Sequence, residues 1–317
     1  MEEKLKNFQI GIDLGGTFIK GGIVSNNGEM IVKDEVPTEV EKGANQVALN
    51  IGALCNNLIA KANLTKDDIK GVGIGSPGMI DSKQGIVIFA GNLGFEFTPL
   101  AQMVSDCVNL PVKITNDANA AALGEAKFGA GKEFSDSIFV TLGTGVGGGI
   151  VINNKLFEGN KSAGAEIGHM IIKEGGEQCT CGLKGCFETY ASATALIRDT
   201  KRAMQENKNS LMWEVGLENV NGKTPFDYYE KDETAKAVIE NYLKMLGLGL
   251  VNLANIFRPE AIIIGGGISR QPIIEKPLYN FVNAHKFAGE KGPEVKVLVA
   301  SLKNDAGTYG ASALWLE

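Results

Sequence analysis

A glycine-tipped hairpin occurs twice in this chain, and that duplication limits the fold more than any other feature. Ile12-Asp13-Leu14-Gly15-Gly16-Thr17, followed by Ile23-Val24-Ser25-Asn26-Asn27, is echoed with a one-residue gap. The second copy is Val140-Thr141-Leu142-Gly143-Thr144-Gly145, followed by Ile150-Val151-Ile152-Asn153-Asn154. In the first copy Phe8–Leu14 is apolar and extended, and a second run reaches Val24. Ser25-Asn26-Asn27-Gly28 then turns the chain, and Met30–Val32 begins a third run. Asn-Gly between apolar runs signals a hairpin, so these glycines sit in a strand-turn-strand meander rather than ahead of a helix. Two copies predict two similar lobes, each offering a glycine turn to a shared cleft.

The rest of the pattern is α/β. Val47, Ile51, Leu54 and Leu58 recur at helical spacing, and Ile69–Ile74 reads as a strand ending in Gly75-Ser76-Pro77-Gly78. Strands are expected at 111–115, 138–142, 149–152, 261–264 and 295–300. Helices are expected from near Ala118, over about 234–257, over 273–285 and after Asn304. The last carries Ala306, Ala311, Ala313 and Leu314, small residues suited to docking back on the first lobe. A chain of 317 residues has room for two domains. Its net charge of −6 argues against a nucleic-acid partner, because neutralising phosphates needs a basic face. No apolar run has signal-peptide or membrane-spanning length, so the expectation is a cytoplasmic protein with no membrane partner.

Tight glycine turns expose consecutive backbone N–H groups that can wrap phosphate oxygens. Asp13-Leu14-Gly15-Gly16-Thr17 and Gly143-Thr144-Gly145-Val146-Gly147-Gly148 both offer this. Thr17 and Thr144 add hydroxyl donors, and Asp13 is suited to hold a water on a phosphate-bound Mg²⁺. Either turn alone reads as an ordinary hairpin; the matched pair plus Gly265-Gly266-Gly267 favours phosphate. Gly143, Gly145 and Gly148 also have dinucleotide-fingerprint spacing, but Gly149–Ile152 continues as a strand where that fingerprint needs a helix. Gly222-Lys223-Thr224 ends like a Walker loop, yet Leu217 stands in place of its first glycine.

Asn116 and Asp117 lie where a strand gives way to a helix, the place where polar groups face ligands in open α/β folds. Asp117 there suits a general base for a substrate hydroxyl, with Asn116 fixing a neighbouring one. Taken alone, the dipeptide reads more simply as a helix cap. Cys179, Cys181 and Cys186 crowd into one stretch with His169 upstream, and Gly182 and Gly185 permit a tight knuckle. One His and three Cys complete a closed tetrahedral zinc site, favoured here over reduced buried thiols or a redox pair. Cys55 and Cys107 are isolated in apolar surroundings and read as inert. Glu166, His169 and Glu188 flank the knuckle, and a rigid knuckle would present them to vicinal hydroxyls. The plainer reading leaves both glutamates solvated.

Together these residues resemble the ROK family of sugar kinases and repressors, its glucokinase-type kinases most of all. Asp13-x-Gly15-Gly16-Thr17-x-x-Lys20 resembles the first phosphate motif, and Leu142-Gly143-Thr144-Gly145-x-Gly147-Gly148-Gly149 the second. Glu166-x-Gly168-His169 with Cys179-x-Cys181-Gly182-x-x-Gly185-Cys186-x-Glu188 resembles the sugar and zinc signature, and Ile263-Ile264-Gly265-Gly266-Gly267 the adenosine-side loop. The resemblance implies an actin-like ATPase fold of two ribonuclease-H-like lobes. Residues 1–116 with about 302–317 would form the small lobe, and 117–301 the large lobe with the knuckle. It implies ATP with Mg²⁺, structural zinc, a hexose substrate and a homodimer. Asp117 becomes the base for the sugar 6-hydroxyl. Asn116, Glu166, His169 and Glu188 become sugar ligands, with His169 also on zinc; Gly78 and Asn92 edge the site, and Lys20 adds charge near the phosphates. Phe95 stands where many glucokinases carry Trp, which leaves open whether the sugar is glucose, N-acetylmannosamine, N-acetylglucosamine or fructose. The rival of another class is a sugar-responsive regulator, whose DNA-binding helices would precede the first motif; only a short segment precedes Ile10.

Overall fold

The computed structural model describes residues 6–316. The chain divides into two compact units. One takes the chain up to Phe139, Gly149–Ala165 and the segment from Ser301 onward; the other takes Val140–Gly148 and Glu166–Ala300.

The first unit starts with the expected antiparallel meander, β1 (Phe8–Leu14), β2 (Phe18–Ser25) and β3 (Met30–Pro37). Helix α1 (Ala44–Lys61) buries Val47, Ile51, Leu54 and Leu58, the residues whose spacing announces it. β4 (Ile69–Ser76) then runs parallel to β1. A small antiparallel sheet follows, β5 (Met79–Asp81), β6 (Ile86–Ala90) and β7 (Phe95–Thr98), with helix α2 (Leu100–Val108) after it. Periodicity does not announce the three strands, because they are short and bury only one or two residues each. β8 (Val112–Asn116) pairs parallel with β4 and leads directly into α3 (Asp117–Phe128). The sheet order is β3-β2-β1-β4-β8.

The second hairpin opens a sheet of the same form. It comprises β9 (Ser137–Leu142), β10 (Val146–Ile152) and β11 (Lys155–Phe157). A long excursion carries the short helix α4 (Glu188–Ala191), α5 (Ala193–Glu206), the one-turn α6 (Thr224–Asp227) and α7 (Glu233–Phe257). β12 (Ala261–Gly266), α8 (Glu275–His285) and β13 (Lys296–Val299) follow, giving the order β11-β10-β9-β12-β13. Both sheets are therefore a three-strand meander with two later strands added beside its first strand. β10 begins at Val146, three residues ahead of the expected start, so the second glycine turn is only Gly143-Thr144-Gly145 and Gly147 and Gly148 are strand residues.

The last helix, α9 (Ala306–Ala313), docks on the first sheet and along α3. Gly22, Gly11 and Gly73 lie in register across β2, β1 and β4, forming a row without side chains beneath it. A Cβ on Gly11 would lie 1.9 Å from the Thr308 carbonyl oxygen, and one on Gly73 would lie 1.8 Å from that of Ala311. Where α3 meets α9, a Cβ on Gly310 would lie 1.5 Å from the Ala120 carbonyl oxygen. Much of the glycine in this chain thus serves close backbone approach rather than phosphate binding. The opposite face of the sheet holds Ile10, Ile12, Ile74 and Ile114 in one core with α1 and α2.

Candidate active site

Each unit carries its own share of the expected residues. In the first, the turn between β1 and β2 is closed by Gly15 N–H donating to Phe18 O at 3.0 Å. Thr38 braces it. Its hydroxyl donates to Gly15 O at 2.7 Å and its N–H to Thr17 O at 2.9 Å, and the residue is fully buried. Thr17 stays exposed at the tip, where a hydroxyl can meet a ligand. Thr38 is absent from the motif reading because nothing in its local pattern marks it; only the pairing of β3 with β2 brings it there.

Asp13 lies near the end of β1, in register opposite Lys20 on β2 and beside the start of α9, where a Cβ on Gly307 would meet its Cγ at 2.9 Å. Burial pushes its carboxyl above the usual carboxylate range; Lys20 opposes the shift and Asp117 reinforces it. Because the folded pKa is the raised one, an ionised Asp13 costs stability as pH rises above the ordinary carboxylate value, and below that value the cost is absent. A carboxyl buried at such a cost marks a functional-site candidate.

Asn116 ends β8 and caps α3. Its Oδ1 accepts from Ala118 N at 2.9 Å and Asn119 N at 3.3 Å, and its Nδ2 donates to Gly78 O at 3.1 Å. The cap reading of the dipeptide therefore holds for Asn116, while one N–H of its amide remains for a ligand. Asp117 is the first residue of α3, with Oδ1 accepting from Ala118 N at 2.8 Å. Gly78 has φ 99°, and a Cβ there would lie 2.2 Å from Phe89 O, so the residue that receives Asn116 has to be glycine. Asn92 comes near the first turn, 3.8 Å from where a Gly16 Cβ would be, and Phe95 is buried in the core.

In the second unit, Gly143 N–H donates to Gly145 O at 3.0 Å. The start of α5 braces this turn: Ala193 N–H donates to Gly143 O at 2.8 Å and the Thr194 hydroxyl to Thr144 O at 2.7 Å. Gly266, at φ 87°, rests against the end of β9, where its Cβ would lie 2.3 Å from Leu142 O. Gly265 and Gly266 are therefore brought beside the Thr144 turn. Glu188 abuts the same turn, since a Gly145 Cβ would meet its Oε2 at 2.5 Å.

Glu166 precedes a single 3-10 turn, Ile167–His169, in which His169 N–H donates to Glu166 O at 3.1 Å. Gly168 is pressed on β10, with a Cβ position 2.0 Å from Val146 O, which fixes the turn that presents His169. Glu166 is exposed and Glu188 half-buried, so the solvated reading fits Glu166 better than Glu188. The knuckle gathers four ligands: one donor atom each from His169, Cys179, Cys181 and Cys186 lies within 4.8 Å of all the others. His169 Nδ1 is 3.7 Å from Cys179 Sγ, and Cys181 Sγ is 3.6 Å from Cys186 Sγ. A tetrahedron with Zn–S bonds of about 2.3 Å has edges of about 3.7 Å, so this donor set fits structural zinc. Cys179 Sγ also donates to Glu188 Oε1 at 3.1 Å. Burial pushes the Cys186 thiol up to about 12, as it does that of isolated Cys55.

Residues 9–317 match the ROK family, and the chain belongs to it. The glucokinase of Halalkalibacterium halodurans is 36% identical over 314 residues, covering 97% of this chain and 94% of that one. The crystal structure of a ROK family glucokinase from Streptomyces griseus in complex with glucose and AMPPNP is likewise 36% identical. It superposes with a TM-score of 0.77, covering 97% of this chain and 98% of that one. The xylose repressor of Caldicellulosiruptor bescii is 34% identical over 96% of this chain but only 77% of its own length. The fold is thus the actin-like ATPase fold of ROK kinases. Among the described residues no helix is long and apolar enough to cross a membrane.

Proposed function

We propose that this chain is an ATP-dependent hexose kinase that prefers glucose and makes glucose 6-phosphate. The observation that carries the reading is likeness to glucokinases over 97% of this chain, one of them holding glucose and AMPPNP. Asp117 takes the proton of the sugar 6-hydroxyl as its oxygen attacks the γ-phosphorus. The O6–P bond forms, and the bond from that phosphorus to the bridging oxygen of ADP breaks. The carboxylate sits at a helix N-terminus, which weakens it as a base. A loose transition state tolerates this, because positioning and charge neutralisation supply most of the catalysis.

The free N–H of Asn116, with Glu166, His169 and Glu188, binds the remaining hydroxyls. His169 turns Nδ1 toward Cys179, leaving Nε2 for the sugar. Thr17, the Gly15-Gly16 backbone, Thr144 and Gly145 cradle phosphates, Gly265 and Gly266 flank the nucleoside, and Asp13 would help hold Mg²⁺, which would neutralise phosphate charge. Zinc held by His169, Cys179, Cys181 and Cys186 would stiffen the presentation of His169 and Glu188 and take no chemical part. The active protein is a cytoplasmic homodimer.

A coupled ADP-release assay across glucose, N-acetylmannosamine, N-acetylglucosamine and fructose tests the reading. Glucose is expected to give the highest kcat/KM. Absence of ADP release with every hexose would instead favour a sugar-responsive regulator, the role named for the repressor relative. Metal analysis should find about one zinc per chain, lost in Cys181→Ser. Full activity in zinc-free protein would refute the knuckle's role.

A further inference from the structure

One carboxylate outside the family motifs joins two functional segments. Glu158, just after β11, accepts from the Ser82 hydroxyl at 2.6 Å on Oε2 and from the Thr115 hydroxyl at 2.9 Å on Oε1. Ser82 Oγ is also 2.7 Å from Ser162 Oγ. Since the Ser82 proton goes to Glu158, Ser162 donates to Ser82, and the chain of hydroxyls runs one way, toward the carboxylate. Ser82 N–H donates back to Ser162 Oγ at 3.4 Å. All four residues belong to the first unit.

What this latch holds is strained. Lys161, Ser162 and Ala165 have φ of 52°, 56° and 63°, left-handed values that non-glycine residues adopt only when their surroundings force them. The strap is pinched at its base, where Gly164 N–H donates to Glu158 O at 2.8 Å. Its end, Ala165, is followed at once by Glu166. On the other arm, fully buried Thr115 is followed at once by Asn116 and Asp117. The roots of both segments therefore hang on Glu158.

We propose that Glu158 is a positioning residue for hexose recognition, acting through Thr115 on the Asn116–Asp117 strand end and through Ser82 and Ser162 on the strap that leads to Glu166. This rests on the kinase reading above. Among the described residues, no hydrogen bond joins Glu158, Ser82 or Ser162 to a proposed nucleotide-binding residue, so loss of the latch should fall on the sugar and not on ATP.

Steady-state kinetics and hexose calorimetry on full-length wild type, Glu158→Ala, Glu158→Gln and Ser162→Ala test it. Glu158→Ala should raise the hexose KM and Kd about tenfold, with ATP KM within about twofold. Glu158→Gln should restore most of the affinity: its carbonyl oxygen accepts from Thr115 and its amide donates to Ser82, which then turns its proton to Ser162. Ser162→Ala, which cuts only the strap arm, should give a smaller rise. The proposal is overturned by an unchanged hexose KM in Glu158→Ala, by equal losses in the Gln and Ala variants, or by an equal rise in ATP KM. Should Glu158→Ala fail to fold, an unchanged hexose Kd in Ser162→Ala overturns it alone. Wild type that releases no ADP with any hexose overturns the kinase reading itself.

Discussion

Asp117→Asn is expected to lower kcat by about 10²–10⁴-fold, about 3–5 kcal/mol of transition-state stabilisation, while hexose Kd stays within about twofold. Asparagine keeps the oxygen that accepts from Ala118 N–H at 2.8 Å, so the first turn of α3 and the cap by Asn116 should survive. It keeps a group that can hydrogen-bond the 6-hydroxyl, so ground-state binding survives as well. What it lacks is a site for the proton that leaves as O6 attacks phosphorus. A drop in kcat with unchanged KM is the signature of an interaction made only in the transition state. Retention of a tenth of wild-type kcat would remove Asp117 from the role of base. Matched melting curves exclude a folding defect, and a Asp13→Asn comparison separates proton transfer from charge placement at the phosphates.

Gly73→Ala is expected to lower Tm by about 6–12 °C, the equivalent of about 3 kcal/mol for a unit of this size. The new methyl would sit 1.8 Å from the Ala311 carbonyl oxygen, a helix backbone atom that cannot swing aside as a side chain would. Relief requires lifting α9 from the sheet, and α9 is also locked to α3 through Gly124 and Gly310. Gly222→Ala is the matched control: nothing lies within 4 Å of its Cβ position, and Tm should be unchanged. Differential scanning calorimetry on both variants decides it. Equal Tm values for the two would mean that the glycine row is not a packing device.

Much of this fold can be read along the chain, because hairpins and amphipathic helices are written in nearest-neighbour chemistry. The doubled Asp-Leu-Gly-Gly-Thr and Leu-Gly-Thr-Gly turns announce two meanders, and both sheets have the same strand order. α1 and α7 follow from their apolar spacing. Helices α2 and α5 also carry a buried stripe at helical spacing, Leu100, Val104 and Val108 in one and Leu196, Thr200 and Met204 in the other. The three short strands β5–β7 are not legible in the same way, because each buries only one or two residues and is placed by neighbours distant in sequence. Gly11, Gly73 and Gly310 were equally mute: a glycine under a helix and a glycine around a phosphate look alike until the opposing backbone is in place.

The site divides along the same line. Residue types and spacing by themselves determined two glycine turns suited to phosphate and a His/Cys3 donor set with carboxylates beside it, and the sugar-kinase reading came from the resemblance these motifs carry to the ROK family. Only the tertiary structure decided which groups brace them. Thr38 under the first turn, Thr194 under the second, Gly266 against Leu142, and Glu158 beneath Thr115 and Ser82 each come from a remote segment. The glycine hairpins are determined locally by what a tight turn permits. The partners that hold them are determined by packing, which no short stretch of sequence contains.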